Sequence, residues 1–422
     1  MKKLYILAPN DRFNYGDLLF PHILKFYFKD IVDELVFCST TDSDLSKFGG
    51  IPTHGFQVLY KAKDTNQNYL IVAGGDSLCI SWMQVLSFVD RKIDWFTAID
   101  HKLHTHFFFK TYTRLKYRYK TFFPFSIGKN ELRNFSKVMY NSLGGSMLEC
   151  DRSLLNNPNV IEVLRNVDYL SLRDAQTSEM LNSKDIENVV VPDSAILMSN
   201  VFSEELLVKN LSVNIDRFPN RKYLFFQTNL RFLNLDSYVA LIEKVIDKYQ
   251  MGVCLCPIGT AFGHSDDIAL AKIYSLLKCK DHVFLVNSPS IYDIMWLIKH
   301  AALYVGTSLH GTITALSFGV PFVAHGPIKL KNYLETWCTE NQSLFTEEKD
   351  LESAVVSQIE HRVVYPSLFQ KQQVMKSIIH MQNEINGAHP TKSVAKLTKK
   401  STIRGRMLFD IVTFAIWIMY QT

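Results

Sequence analysis

At 422 residues, 47% hydrophobic and 21% charged, the chain exceeds one ordinary core, and wholesale disorder is excluded. A net charge of +5 suits an anionic substrate or membrane surface and is too weak to argue for nucleic acid. The seven cysteines include no CxxC pair and are odd in number, which reads as buried, reduced thiols in a cytosolic setting; Cys254 and Cys256 sit in an apolar run and read as strand core, not as a metal site.

The chain opens on Lys3–Ala8, an apolar run too brief for a signal peptide, which reads as a first strand. A loop follows to Asp17, then a helix from Leu18 to about Phe28. Asn14, Gly16 and Asp17 therefore occupy a strand-to-helix loop, the usual ligand position in open α/β sheets. Asp17 reads equally as an N-cap for that helix and as a functional carboxylate. Leu35–Cys38 reads as the next strand. Tyr69–Ala73 (YLIVA) is a clearer strand and runs into Gly74 and Gly75, where backbone could approach a ligand.

Residues 101–125 interleave Lys110, Arg114, Lys116, Arg118 and Lys120 with Phe and Tyr. Two readings stay open: long cationic chains lying over apolar surface, or a patch for a membrane or an anionic acceptor. Tyr169–Leu172 is a strand ending in Arg173 and Asp174, with a helix from Thr177 toward Leu181. Val189–Val191 is another strand, with Asp193 at its exit. Polar residues near 203–221, with Pro219, make the link.

The alternation then restarts. Strands are expected at Tyr223–Gln227, Val253–Cys256 and Val283–Val286, and helices at about Asp236–Tyr249, Ile268–Leu277 and Ile291–His300. Asn229, Leu230 and Arg231 leave the first of these strands. Pro257 to Thr260 leave the second, with His264, Asp266 and Asp267 close behind.

The stretch 302–324 organises the second half. Leu303–Val305 is a strand, Gly306–Gly311 a polar turn and Thr312–Phe318 a helix. Gly319 is placed to stop that helix as a C-cap, and the next strand resumes at Val320. His310 stands where strand gives way to helix, an edge whose free N–H groups favour an anion. A lone histidine there could be a cap or a core residue. Gly306 and Gly311, which permit close approach on both sides, favour a functional role. Lys329 and Lys331 follow.

This pattern predicts an α/β protein of two Rossmann-like domains facing a cleft, with a C-terminal helical tail. The expected division is 1–200, a linker at 201–218, 219–345, helices returning to the body at 346–390, and a tail at 391–422. The tail sets six Lys or Arg before MLFDIVTFAIWIMY, which is too short to span a membrane and fits interfacial attachment or docking on the body or a partner. The chain is accordingly expected in the cytoplasm, with peripheral attachment at the inner face of the membrane as the outcome if the tail meets lipid.

Asn14-Tyr15-Gly16-Asp17, Gly74-Gly75, Leu172-Arg173-Asp174, Pro192-Asp193, Asn229-Leu230-Arg231, Leu309-His310-Gly311, Ala315 and Gly319-Val320-Pro321 fall in an order that resembles the polysaccharide pyruvyl transferases, over roughly residues 3–335. That resemblance implies two halves of the glycosyltransferase B kind. It also implies transfer of the enolpyruvyl unit of phosphoenolpyruvate onto hydroxyls of a cell-surface polysaccharide or its lipid-linked precursor, as a ketal. Phosphoenolpyruvate is then the donor substrate, and no cofactor or metal is expected.

His310 is implied as a phosphate-side donor or acid, and Asp17 or Asp193 as a base. Arg173, Arg231, Ser308, Leu309, Gly311 and Lys329 fall on the donor side, and Asn14, Gly16, Gly74 and Gly75 on the acceptor side. The chain departs from the family pattern at Ser308, where an Arg usually precedes the Leu-His pair; the departure implies an altered donor, lost activity, or compensation by Arg231 or Lys329. Two other readings stay open: a nucleotide-sugar glycosyltransferase of the same build, and an inactive scaffold of polysaccharide assembly.

Overall fold

The computed structural model describes residues 1–387, apart from 64–66, 91, 104, 106, 122, 215–221, 262–264 and 339–343. The tail 391–422, Pro219 and His264 lie outside the described residues.

Two parallel sheets make up the protein. The first has seven strands: β1 Lys3–Leu7, β2 Glu34–Ser39, β3 His54–Gly55, β4 Asn68–Ala73, β5 Lys137–Leu143, β6 Tyr169–Leu172 and β7 Val189–Val190, in the order β3-β2-β1-β4-β5-β6-β7. The second has β8 Tyr223–Gln227, β9 Gly252–Leu255, β10 Val283–Leu285, β11 Leu303–Gly306 and β12 Phe322–Ala324, in the order β10-β9-β8-β11-β12. Both follow the doubly wound pattern. The winding reverses between β1 and β4, and again between β8 and β11, and such a reversal opens a crevice at the carboxyl ends of the strands.

The reason lies in the strand sequences. All six residues of β4 and all five of β8 are buried, as a strand covered by helices on both faces must be. Gly319 ends the helix Leu309–Phe318 in the left-handed conformation (φ +70°), as expected of a C-cap.

The two carboxyl edges face each other. The loop after β1 bridges to the loop after β9, Asn14 pairing antiparallel with Gly259. The Tyr15 N–H donates to Ile258 O (3.0 Å), and the Ala261 N–H to Phe13 O (3.3 Å). Behind this seam the helix Tyr15–Phe28 packs on the helices Ile291–Lys299 and Leu309–Phe318, so one apolar cluster spans both halves. The Tyr15 and Thr314 hydroxyls, one from each half, are 2.8 Å apart.

The helix Leu351–His361 covers the second sheet. The chain then returns to the first half in the helix Leu368–Asn386. Its buried residues Val374, Ile378, Met381 and Ile385 recur at helical spacing. Ser377 meets the Tyr169 hydroxyl at 2.9 Å, and Glu384 pairs with Lys137 at 2.9 Å.

Several boundaries differ from those read off the sequence. The first helix begins at Tyr15, not Leu18, because Asn14 already has extended N-cap geometry (φ −134°, ψ 115°). Asp17 therefore lies in the helix's first turn and is not its cap. Likewise the helix expected from Thr312 begins at Leu309, capped by the Ser308 hydroxyl. His310 belongs to a rigid first turn and not to a loop. All seven cysteines are free, and five of them are buried.

A candidate active site shared by both halves

Five strand ends of the first sheet, and one helix of the second half, converge on a single cluster. Arg173, at the end of β6, is its centre. It is 1% exposed, unusually deep for an arginine. Its Nη1 lies 3.4 Å from Asp193 Oδ2, at the exit of β7, and its Nη2 lies 3.6 Å from Asp76 Oδ1, at the exit of β4. Gly144, just past β5, admits it: a Cβ there would stand 2.4 Å from Nη2. Asp76 accepts from the Ser146 N–H (3.0 Å) and from the Ser146 hydroxyl.

His310 enters this cluster from the other half. Its Nε2 is 3.4 Å from Asp193 Oδ2, at an angle that leaves the nitrogen without a formed hydrogen bond. Its ring sits edge-on to Phe20, with centroids 5.5 Å apart. It lies so close over Gly16 that a Cβ there would be 1.8 Å from Nδ1. The imidazole is buried (9% exposed), yet it is surrounded by charged groups and not by apolar packing alone.

Electrostatics separates the two carboxylates beside His310. Burial raises the Asp17 carboxyl above its ordinary value, against the pull of Arg12, His310, Lys329 and Arg173. At Asp193 burial acts in the same sense, but His310, Arg173 and the Ala195 N–H outweigh it and hold that carboxyl below the usual range. Asp76 is also held low: Arg173, Lys329 and Ser146 together outweigh its burial. Two carboxyls pushed in opposite directions beside one imidazole are an arrangement that acid–base chemistry uses.

Lys329 belongs to the helix Ile328–Trp337, which lies across the cleft on the first half. Asn332 Nδ2 donates to Glu149 (2.8 Å), and Trp337 Nε1 donates to Arg173 O (2.7 Å). Among the described residues no carboxylate lies within ion-pair distance of Lys329, yet its charge acts on both Asp17 and Asp76.

The structure does not bring every expected residue here. Arg231 is exposed, with its guanidinium over the Phe232 ring at 5.7 Å, and takes no part in the cluster. Leu309 is core, Gly311 makes room for the Tyr304 hydroxyl, and Ser308 caps its helix by accepting from the Gly311 N–H (3.2 Å). Gly74 and Gly75 are both left-handed (φ +83° and +69°). The space over them is taken by Phe20 and Asp17, where an open approach for a ligand was expected. Asn14 joins the seam through its backbone. Among the described residues no group of three or more His, Cys, Asp or Glu is arranged to hold a metal ion.

The family model for polysaccharide pyruvyl transferase matches residues 14–325, well over half of the chain and all the elements that build this cluster. The chain belongs to the polysaccharide pyruvyl transferase family, a family of enzymes. No curated protein matches the sequence.

Solved structures show the fold this chain shares. S. aureus MnaA, solved with UDP, superposes with a TM-score of 0.53 at 12% identity, covering 92% of this chain and 97% of that one. The Methanocaldococcus jannaschii UDP-GlcNAc 2-epimerase, solved with UDP-GlcNAc and UDP, gives 0.52 at 14% identity, covering 90% and 99%. The Neisseria meningitidis UDP-GlcNAc 2-epimerase bound to UDP-GlcNAc gives 0.51 at 12%, covering 91% and 100%. The two facing Rossmann-like halves are thus a GT-B-like build.

Sequence reasoning missed Asp76, Ser146 and Arg12. A signal for Ser146 was present: Gly144-Gly145 leaves β5 just as Gly74-Gly75 leaves β4. Nothing local to Arg12 marked it, because its importance comes from its charge near a buried carboxylate.

Proposed function

We propose that this pyruvyl transferase moves the pyruvyl unit of phosphoenolpyruvate to a pair of hydroxyls on a cell-surface polysaccharide or its lipid-linked precursor. The reaction turns the donor's methylene into a methyl, breaks its C2–O bond and forms two new C–O bonds as a ketal. Two hydroxyl protons are lost, one proton is gained at carbon, and the other departs with inorganic phosphate.

The observation that carries the reading is the junction of His310 with Asp17, Asp193 and Arg173 across the cleft. Asp17, whose carboxyl burial raises above its ordinary value, is suited to protonate the methylene carbon. His310, steadied by ionised Asp193, is suited to take a hydroxyl proton and to hand one to the leaving phosphate. Lys329 supplies a positive charge for the donor's phosphate or carboxylate, a task that Ser308 cannot perform. Arg173 is already flanked by two aspartates and serves to fix them.

The shared build with UDP-bound epimerases supports a second reading, a nucleotide-sugar transferase. Thermal shift separates the two. Stabilisation by phosphoenolpyruvate, with phosphate released on adding a glycan acceptor, is expected; stabilisation by UDP alone would replace this reading with the second. Loss of phosphate release in a folded His310→Ala variant would set aside an inactive scaffold.

A further inference from the structure

Between β4 and β5 the chain makes a helical hairpin, Lys92–Lys102 and Phe107–Tyr117, that the chemistry above does not use. Its register is fixed at two points. The Phe96 and Tyr112 rings lie 4.6 Å apart, and Asp100 caps the second helix by accepting from the Phe108 and Phe109 N–H groups (3.0 and 2.8 Å). These contacts place Leu103, Phe107 and Phe108 together at the tip. The inner face is anchored: Asp90 accepts from the Tyr112 and Tyr117 hydroxyls and pairs with Lys116 (2.7 Å), while Tyr119 stacks on Trp82 at 4.7 Å.

The outer face is the reverse of what a solvated hairpin shows. Trp95 is 63% exposed, Leu103 59%, Phe107 63% and Leu115 74%. Large apolar residues scattered singly are ordinary; several on one short motif mark a contact surface. Charge identifies what is contacted. Residues 90–120 hold eight Lys or Arg against three Asp, an excess of five, equal to the net charge of the whole chain. Lys102, Lys110 and Arg114 are exposed among the apolar side chains.

We propose that this hairpin docks on an anionic lipid bilayer surface, with Leu103, Phe107, Phe108 and Trp95 entering the headgroup boundary and the cations meeting lipid phosphates and carboxylates. A second copy of the chain would bring the same positive charge and be repelled, and a neutral glycan would leave the cations unmet. The dock stands beside the site: Phe88, two residues before Asp90, lies under the Arg12 guanidinium at 5.1 Å, and Arg12 is the strongest charge acting on Asp17. A membrane surface here would present a lipid-linked glycan to the cleft. That consequence rests on the proposed acceptor; the docking does not.

Flotation of the full chain with vesicles of phosphatidylcholine, with and without 30% phosphatidylglycerol, tests the proposal. Two triple variants are compared with the wild type: Leu103→Asp/Phe107→Asp/Leu115→Asp, and the charge reversal Lys102→Glu/Lys110→Glu/Arg114→Glu. Binding to the anionic vesicles only is expected, falling by about tenfold or more in each variant. Melting temperature and phosphate release on a soluble acceptor should stay at wild-type values. The charge reversal, confined to exposed polar positions, decides the matter if the aspartate variant fails to fold. Wild-type chain that does not float, variants that float as well as wild type, or variants that change only the oligomeric state would each overturn it. Anionic-vesicle binding lost in the variants, by a chain that releases no phosphate from phosphoenolpyruvate and is stabilised by UDP alone, would leave the dock standing and remove the pyruvyl transfer reading.

Discussion

His310 and Asp193 belong to different halves of the protein, yet Nε2 of one stands 3.4 Å from Oδ2 of the other, deep in the cleft. The same carboxylate oxygen is 3.4 Å from Arg173 Nη1. Asp193 thus ties an imidazole from one sheet to a guanidinium from the other, and the candidate site is complete only when the halves are closed.

Asp193→Asn should therefore weaken more than one contact. Removing the charge leaves a buried guanidinium with Asp76 as its remaining ion-pair partner, and takes the carboxylate away from beside the His310 ring. Phosphoenolpyruvate-dependent phosphate release is expected to fall by at least about 10²-fold, with a lower melting temperature. A variant within threefold of wild-type rate would refute the role.

Asp17 predicts a pH dependence of definite sign. Its carboxyl holds its proton to higher pH than an ordinary carboxylate, so the acid form is depleted as pH rises through that raised value. The kcat profile should fall on its alkaline side. In Asp17→Asn the remaining rate should be about 10²-fold lower and that limb should vanish. A limb that persists in the variant belongs to another group.

Gly16→Ala sets two effects against each other. Alanine in a helix is favoured over glycine by roughly 1 kcal/mol. The added Cβ, however, would stand 1.8 Å from His310 Nδ1, far inside contact distance, so the clash wins and the imidazole is displaced. Activity should drop steeply. Melting temperatures of Gly16→Ala, His310→Ala and the double variant should be non-additive, the double being more stable than Gly16→Ala alone.

Lys329→Ala is expected to raise KM for phosphoenolpyruvate about tenfold or more with a smaller change in kcat, whereas Arg231→Ala should leave both within about twofold. Steady-state kinetics on the two variants checks this. Equal effects would mean that Arg231 reaches the donor after all.

His325 gives a stability prediction. It is 1% exposed, its Nε2 has no partner, and burial lowers its pKa to about 4. The unfolded chain binds its proton more readily, so stability should decline as pH falls from 6.5 toward 4, by on the order of 3 kcal/mol at the bottom of that window. His22, also depressed by burial, adds in the same direction. In His325→Leu the decline monitored by denaturant melts should be smaller; an unchanged slope would remove His325 as its source.

Much of the fold was legible because parallel strands buried on both faces read as continuous apolar runs. YLIVA at 69–73 and YLFFQ at 223–227 needed no context. β3, a two-residue strand, carries no such pattern, and the hairpin at 92–117 exposes large apolar residues among its charges, so no clean apolar stripe marks its helices. At the site, Arg173, Asp193 and His310 were visible as residues at strand ends. That Asp193 lies between the other two was not, because it depends on how the two sheets close. The Gly74-Gly75 pair misled in a specific way: it makes room, but for the protein's own Phe20 and Asp17.

The seam between Asn14 and Gly259, continued by Tyr15 and Ala261, is knitted from main-chain atoms. Peptide groups are the same whatever side chain they carry. Residues lining the gap can consequently be exchanged without unfastening the clasp that holds the lips together. Selectivity can drift while the machinery of closure stays put.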